Sequence, residues 1–345
     1  MVKYKFFKRY EYLALSRNYT YDNVHIRYIK YPTLPFDLFR KYSDKFAFPF
    51  IYLFLKINRI KYDTIFAHFT FPSGAIARTL SKINNVEYFL TIHEGSWLYN
   101  AEIAERSNRF FKIWYDAAFV IRVSDMDINK LIERGIPSDR VKYIPNGFNP
   151  QKFYSIDKSK ARDDLGLPKD KKIILNISRL YEVKGHKYLI DAMKRITEKR
   201  EDVLCFIGSS GPLKDELQSK IEELNLQDYI KLIGFIPDNL LPIWMNACDL
   251  FVLPSLSEGN PTVMFECLGC GKPFIGTKVG GIPEIIVSDD YGLLCEPANP
   301  KDLAEKILIG LDKNWDKNKI LNYSKKFMWS KIAKEIIDVY KGVLR

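Results

Sequence analysis

Short, β-branched apolar runs that alternate with helical patterns are the feature that most limits how this chain can fold. Eleven such runs are predicted to be strands: 24–30, 64–69, 87–92, 117–123, 141–145, 171–178, 203–208, 229–234, 249–255, 273–277 and 292–296. Apolar strands of this length are typical of parallel sheets that are covered by helices on both faces. The alternation therefore predicts an α/β protein with a doubly wound architecture.

A polar, charged stretch at about 150–170, punctuated by prolines and a glycine, divides this pattern into two halves of similar size. It predicts a first Rossmann-like domain at 1–155 and a second at 156–328, joined by a linker. The last segment, 329–345, is predicted to form an amphipathic helix. Its apolar positions are Ile332, Ile336, Val339 and Val343.

The charge of the chain is concentrated near its beginning. The formal net charge is +11 over 345 residues, and residues 1–63 hold 13 Lys/Arg against 5 Asp/Glu together with many Tyr and Phe. A basic, aromatic surface suits anionic lipid headgroups or a nucleic-acid backbone, but a solvated face above an aromatic core explains the composition equally well. Because no recognised nucleic-acid module is present, no nucleic-acid partner is expected.

Hydropathy gives no sign of a membrane span or a secretory leader. No run of 18 apolar residues occurs, and Met1 is followed by lysines and aromatics, not by a smooth apolar core. A cytoplasmic location is therefore expected, with peripheral attachment to the inner face of the plasma membrane as a further expectation.

The metal-ligating residue types do not form a convincing metal site. Cys267 and Cys270 make one C-x-x-C without a second pair, which predicts small buried residues on a helix. The Asp-Met-Asp at 125–127 is expected to open a helix by coincidence, and His68 is expected to be structural. No metal and no cofactor are predicted.

The stretch SEGNPTVMFE at 257–266 follows the strand predicted at 249–255. Asn260 is a favourable N-cap, and Pro261 is favoured at the first helical position, so a helix is predicted over 262–270. Loops after the carboxyl ends of parallel strands hold the ligands of doubly wound sheets. A helix N-terminus at that edge offers free N–H groups to a phosphate.

Two glutamates flank this predicted helix start. Glu258 would lie at the mouth of the site, and Glu266 about 9 Å further along the helix. Taken alone, the pattern fits a ligand site and an ordinary N-capped core helix with a chance glutamate on each side equally well.

Three further loops follow predicted strands in the same half of the chain. Arg179 and Lys184 stand five positions apart after the first of these strands, where they could clamp a diphosphate or remain solvated loop charges. Glycine-bearing turns occur at 207–217 and 277–286. Four loops that converge on one edge of one sheet indicate a nucleotide cleft.

The order of these motifs resembles that of retaining glycosyltransferase family 4, the glycosyl transferases group 1, over roughly 64–345. The motifs are AHFTFPSG, TIHEGSW, VSDMDINKLIERGIPSDRVKYIPNGFN, ISRLYEVKG, GSSGPLKDEL, GFIP, LPSLSEGNPTVMFECLGCGKPFIGTKVGGIPEII and GLLCEP. The resemblance implies the GT-B fold, in which two Rossmann-like domains face each other and the C-terminal helix returns to the first domain.

The beginning of the chain departs most from the family pattern. The first strand and its glycine loop are missing, since the first glycine is Gly74. We hypothesise a truncated N-terminus or a misplaced start codon, which an upstream in-frame sequence without a strand-glycine-helix pattern would contradict. Asn149 also stands where the family usually has an aspartate, which weakens any role for a carboxylate there.

The resemblance assigns roles to individual residues. Arg179 and Lys184 would bind the donor diphosphate, Glu258 would face the transferred sugar, and Glu266 would hold the ribose hydroxyls. His93 would reach the donor sugar from the first domain. Phe235 and Ile236 would lie near the base, and the backbone around Gly259 and Asn260 would contact sugar hydroxyls. Gly208 and Pro261 are further donor-binding positions.

The sequence therefore predicts a retaining, metal-independent glycosyltransferase of the hexosyltransferase type. It would move a sugar from a nucleotide-diphosphate sugar to a glycan or lipid-linked glycan during cell-surface polysaccharide synthesis. The alternatives are a catalytically impaired scaffold or glycan-binding protein with the same fold, and a sugar-nucleotide epimerase.

Overall fold

The computed structural model describes residues 18–21, 23–31, 42–95 and 109–344. These residues pack into two compact units. The first unit takes the described residues up to Thr91 together with Arg109–Ala118, and the second takes those from Ile92 to 95 together with the chain from Phe119 onward. The predicted domain boundaries at 155 and 328 stay predictions.

The first unit combines a small hairpin with a parallel α/β layer. Its elements in chain order are β1 (Tyr19–Tyr21), β2 (Val24–Ile26), α1 (Ser43–Ile57), β3 (Thr64–His68), α2 (Ala75–Asn84) and β4 (Glu87–Ile92), followed by helical residues 109–115. β3 and β4 pair in parallel with Thr64 opposite Glu87. The core of this layer includes Ala47 of α1, which packs against Ile76 and Leu80 of α2.

The prediction of a parallel strand at 24–30 is wrong in the length of the strand and in its pairing. β2 ends at Ile26 and pairs antiparallel with β1, so it forms a local hairpin and not a strand of the parallel layer. Val24 is exposed and Ile26 only half-buried. The segment therefore lacks the two apolar faces that a strand between helical layers requires.

The second unit contains a six-stranded, all-parallel sheet with the order β12-β11-β10-β7-β8-β9. Its strands are β7 (Lys172–Ile177), β8 (Val203–Gly208), β9 (Ile230–Gly234), β10 (Leu250–Leu253), β11 (Phe274–Thr277) and β12 (Gly292–Cys295). Two further strands of this unit, β5 (Phe119–Arg122) and β6 (Val141–Tyr143), pair in parallel with each other.

Helices alternate with these strands as predicted. They are α3 (Ile128–Glu133), α4 (Lys158–Leu165), α5 (His186–Thr197), α6 (Lys214–Glu223), α7 (Leu241–Ala247), α8 (Thr262–Gly269), α9 (Ile282–Ile285), α10 (Pro300–Asp312), α11 (Lys317–Ser324) and α12 (Trp329–Val343). Ile174 and Leu175, neighbours on β7, are fully buried in two different apolar clusters, because successive side chains of a strand point to opposite faces. The α/β fold class is therefore confirmed.

The last helix packs on the segment that follows β6. The Phe148 N–H donates to the Phe327 carbonyl, and the Trp329 N–H donates back to the Phe148 carbonyl, both over 3.0 Å. On α12, Ile332 is buried as its position on the predicted apolar face requires, whereas Val343 is exposed.

Candidate active site

The candidate site lies where the strand order of the six-stranded sheet reverses. β8 and β9 lie on one side of β7, while β10, β11 and β12 lie on the other. The chain therefore leaves β7 toward one side of the sheet and leaves β10 toward the other. The crevice between two such loops is called a topological switch point, and open α/β sheets bind their ligands there. Arg179 and Lys184 follow β7, and Glu258 follows β10, so these predicted residues belong to the two loops that flank the reversal.

Lys184 and Glu258 form an ion pair across these two loops. The Lys184 ammonium donates to Glu258 Oε1 over 2.6 Å, and the Ser255 hydroxyl donates to the same oxygen over 2.6 Å. The Glu258 side chain is only 7% exposed, whereas Lys184 remains 25% exposed. A buried carboxylate is thus held by one cation that solvent, or an anionic ligand, can still reach.

Arg179 provides a second cation on the loop after β7. Its side chain is exposed, and within the described part of the chain its guanidinium has neither a hydrogen-bond nor an ion-pair partner. An uncompensated guanidinium is well suited to bidentate binding of a phosphate.

Backbone contacts hold the loop after β7 in place on two sides. The Leu256 N–H donates to the Val183 carbonyl over 2.8 Å, which joins it to the loop after β10. On the other side, the Leu180 N–H donates to the Ser210 carbonyl over 3.1 Å. Gly185 has a φ of +68°, and a Cβ there would lie 2.0 Å from the Pro254 carbonyl oxygen, so only glycine fits.

The turn at 257–261 is supported from the other side by the loop after β11. The Gly281 N–H donates to the Gly259 carbonyl over 2.7 Å. Gly280, with a φ of +51°, packs so closely that a Cβ would lie 2.0 Å from the Glu258 carbonyl oxygen. The two adjacent glycines predicted on this loop therefore position Glu258 through its backbone.

Replacement of Gly280 by alanine should accordingly disrupt the turn. We expect a loss of about 2–4 kcal/mol in the free energy of unfolding, since the left-handed backbone and the backbone clash both oppose the new methyl group. Gly166→Ala is the matched control, because Gly166 has a similar φ of +64° but no atom within 4 Å of the position that the new methyl group would take. Urea unfolding of both variants measures the difference, and equal losses would contradict this close packing.

Asn260 does not cap the helix that begins at Thr262, which corrects the prediction. Pro261 occupies the N-cap position with an extended backbone, and no side chain caps this helix start. The proline ring restricts Asn260 to an extended conformation, which leaves its side chain one position too early. Asn260 Oδ1 instead accepts from the Asn146 N–H over 2.9 Å, and the Asn260 carbonyl accepts from Asn146 Nδ2 over 2.7 Å.

Asn146 is thus a site residue to which sequence reasoning assigned no role. Asn146 belongs to the IPNGFN motif, which could have drawn attention to it. The motif does not show, however, that Asn146 contacts Asn260, more than a hundred positions away. Asn260 is 6% exposed, and its side-chain Nδ2 has no hydrogen-bond partner among the residues that the structure describes. A buried amide donor therefore remains available at the turn.

Glu266 lies one turn into α8 and is half-buried. No described residue forms a hydrogen bond or an ion pair with its carboxylate. Burial raises the pKa of Glu266 to about 7, a shift that nearby Lys152 opposes and Asp238 reinforces. An acceptor without a partner at this position suits the hydroxyl-binding role that the family resemblance implies.

His93 lies close to the same turn through its backbone. A Cβ on Gly259 would be 2.4 Å from the His93 carbonyl oxygen, and a Cβ on Gly95 would be 3.0 Å from the Ser257 hydroxyl. The segment at 93–95 therefore packs directly on the 257–261 turn, and the role of the His93 side chain stays a prediction. The rest of the TIHEGSW motif, Ser96 and Trp97, lies outside the described residues.

Two further predicted donor-binding positions, Gly208 and Ile236, contact each other. A Cβ on Gly208 would lie 2.5 Å from Ile236 Cδ1, so Gly208 leaves space for the buried isoleucine. Phe235 beside it is 74% exposed, which leaves an aromatic face for stacking.

The sulfur and acidic motifs that the sequence singled out have the structural roles predicted for them. Cys267 and Cys270 are fully buried thiols as predicted, and burial raises the pKa of both. Asp125–Asp127 form a single helical turn before α3, also as predicted. Over the described ranges, no group of three or more His, Cys, Asp or Glu residues could hold a metal ion.

Two family models match the chain and cover its two halves. The model for glycosyl transferases group 1 matches residues 157–327, and the model for glycosyltransferase family 4 matches residues 9–152.

Individual relatives agree with these models. An uncharacterized glycosyltransferase of Methanocaldococcus jannaschii is 30% identical over 300 residues, which span 81% of this chain and 75% of the relative. The amylovoran biosynthesis glycosyltransferase AmsK of Erwinia amylovora is 27% identical over 71% of this chain and 60% of its own.

Solved structures agree on the fold. Sucrose-phosphate synthase from Thermosynechococcus elongatus superposes with a TM-score of 0.76 at 26% identity, over 88% of this chain and 80% of the other. The Anabaena protein HepE, solved in complex with UDP-glucose, gives a TM-score of 0.73 at 24% identity, over 87% and 84%. The chain therefore belongs to the family 4, group 1 glycosyltransferases and has their GT-B fold.

Proposed function

We propose that this protein is a retaining, metal-independent hexosyltransferase that uses a nucleotide-diphosphate sugar as donor. Its acceptor would be a glycan or lipid-linked glycan of cell-surface polysaccharide synthesis, reached from the cytoplasm at the inner face of the plasma membrane. The observation that carries the proposal is the Lys184–Glu258 pair at the sheet reversal, with Arg179 on the same loop as Lys184. HepE was solved with UDP-glucose, and AmsK is named for amylovoran biosynthesis, which supports the donor and the pathway class.

The charges at the site suit a departing diphosphate. Arg179 and Lys184 would contact its oxygens and neutralise the negative charge that grows on the leaving group. The uncapped N-terminus of α8 adds partial positive charge at the same edge of the sheet. These cations and dipoles can supply the charge stabilisation that other enzymes take from a metal ion.

Glu258 is better suited to orient the sugar than to attack it. Among the described residues, Lys184 and Ser255 both donate to Oε1 of its carboxylate, so Oε2 is the oxygen left for a sugar hydroxyl. Glu266 would accept from the ribose hydroxyls.

In the proposed step, the bond between the anomeric carbon and the phosphate oxygen breaks, and the acceptor oxygen bonds to that carbon on the same face. The acceptor proton passes to an oxygen of the departing phosphate. Catalysis then rests on position and charge, without a protein nucleophile.

The donor can be identified by thermal shift. A ligand that binds only the folded state raises the melting temperature in step with its affinity. We expect at least one of the UDP-, GDP- and ADP-sugars to raise the melting temperature, and the same compound to release its nucleoside diphosphate on incubation. A panel with no shift at millimolar concentration would contradict the proposed donor site, and binding without release would favour a catalytically impaired protein.

A further inference from the structure

Helix α1 in the first unit exposes a row of large apolar side chains. Phe50, Leu53 and Ile57 are 42%, 57% and 70% exposed. Their spacings of three and four residues place them on one face of the helix. Ile60, just beyond the helix end, is also exposed.

The opposite face of α1 attaches the helix to its unit. Ala47 is buried, and Ile51 and Leu55 are partly buried, in the cluster that includes Ile76 and Leu80 of α2. The fold of this unit therefore does not require the exposed row, whose contact with water costs free energy that a partner could recover.

Basic side chains border this row. Lys45, Lys56, Arg59 and Lys61 are all exposed. The acidic residue within the helix, Asp44, is buried and paired with Arg109, so its charge is compensated inside the unit. The surface around α1 thus combines apolar side chains with net positive charge.

We propose that this face of α1 is a membrane-docking surface that inserts Phe50, Leu53 and Ile57 into the interface of an anionic lipid bilayer. An interfacial helix combines these two features, an apolar face among the acyl chains and cations at the headgroups. A second copy of the chain fits less well, because face-to-face contact would bring two sets of these cations together. In the described ranges no helix is long and apolar enough to span a bilayer, so the proposal concerns attachment to one leaflet. It goes beyond the glycosyl-transfer proposal and does not depend on which sugar is moved.

Vesicle co-sedimentation of the full chain tests the proposal. The vesicles would be equimolar phosphatidylglycerol and phosphatidylcholine, with pure phosphatidylcholine for comparison. We expect the triple variant Phe50→Ser, Leu53→Ser, Ile57→Ser to bind the anionic vesicles at least about tenfold more weakly than the wild type, since each side chain loses its transfer into the interface. Lys56→Gln, Arg59→Gln, Lys61→Gln should weaken binding about tenfold or more on anionic vesicles only.

The control variant replaces two apolar residues of similar exposure elsewhere, Ile83→Ser with Ile309→Ser, which are 50% and 53% exposed. It should bind vesicles like the wild type. Equal binding by the triple variant and the wild type would overturn the proposal, as would a loss of self-association in the triple variant without a loss of vesicle binding. Should the triple variant fold poorly, Ile57→Ser alone must still weaken vesicle binding. Because binding is measured without donor, a failure here leaves the donor-site proposal untouched.

Discussion

Replacement of Lys184 by alanine is expected to lower turnover of the nucleotide sugar by about 100- to 1,000-fold, the usual effect of removing one preorganised charge from a transition state. Lys184 is placed between the two loops at the sheet reversal and is already oriented by Glu258. Its loss would remove the cation proposed to contact the departing diphosphate and would free the carboxylate proposed to orient the sugar. Initial rates of nucleoside-diphosphate release would measure the effect.

Lys187 provides the matched control for this substitution. It lies three positions further along, is exposed, and pairs over 3.0 Å with Glu182, itself well exposed. Surface pairs of this kind contribute little, so Lys187→Ala should keep wild-type rates. Equal losses in the two variants would refute a specific role for Lys184.

A double variant separates catalysis from stability. Lys184→Ala alone leaves the buried Glu258 with Ser255 as its remaining partner among the described residues, at a cost of about 2 kcal/mol in the free energy of unfolding. Lys184→Met combined with Glu258→Gln removes both charges and should recover most of that loss. The double variant should nevertheless remain inactive. That result would show that Lys184 and Glu258 are needed for catalysis, whereas stability requires only that neither charge is left unpaired.

Replacement of Glu266 by glutamine is expected to stabilise the protein at pH 8 while removing donor binding. Burial raises the pKa of Glu266 from 4.5 to about 7. The folded state therefore holds its proton more firmly than the unfolded chain does. The contribution of Glu266 to stability is fully present below pH 4.5 and is lost as the pH rises through about 7. Glutamine stays neutral, so the variant should gain up to about 3 kcal/mol over the wild type at pH 8 and almost nothing below pH 4.5.

Donor binding should show the opposite dependence on pH in the wild type. If the ribose hydroxyls donate to an ionised Glu266, binding releases a proton below pH 7, and affinity for the nucleoside diphosphate rises as the pH approaches that value. Calorimetry from pH 5.5 to 8.5 would record this rise. Glu305→Gln, at an exposed position of α10, should leave both the affinity profile and the stability profile unchanged. A wild-type profile that stays flat would exclude Glu266 from the ribose site.

The parts of this structure that the sequence predicts are those with local signals. Strands such as 172–177 and 203–208 are buried on both faces, so their apolar, β-branched composition identifies them directly. The turn at Gly280 and Gly281 and the loop cations after β7 follow from residue type and from position after a strand. By contrast, Val24 and its neighbours resembled a strand of the parallel sheet in composition only, because Val24 is exposed and β2 pairs antiparallel in a local hairpin.

The contacts that assemble the site could not be predicted, because they join residues far apart in the chain. Asparagine is a favourable N-cap residue, but in the structure Pro261 occupies the N-cap position. The Asn260 side chain accepts a hydrogen bond from Asn146 instead. Lys184 and Glu258 were predicted separately as ligands of phosphate and sugar. In the structure, Lys184 and Glu258 pair with each other. This contact depends on the order of the strands in the sheet, so only the three-dimensional structure shows it.

The Lys184–Glu258 ion pair would make the affinity of the site for the donor differ from its affinity for the diphosphate product. If the donor diphosphate draws Lys184 away as proposed, the buried Glu258 would lose its cation and would gain a hydrogen bond from a hydroxyl of the donor sugar instead. The nucleoside diphosphate left after transfer would no longer carry that sugar, so the carboxylate would compete for Lys184 again. The enzyme would thereby bind the intact donor more tightly than the diphosphate product that it must release. The Lys184–Glu258 ion pair would break when the donor binds and form again when the product leaves.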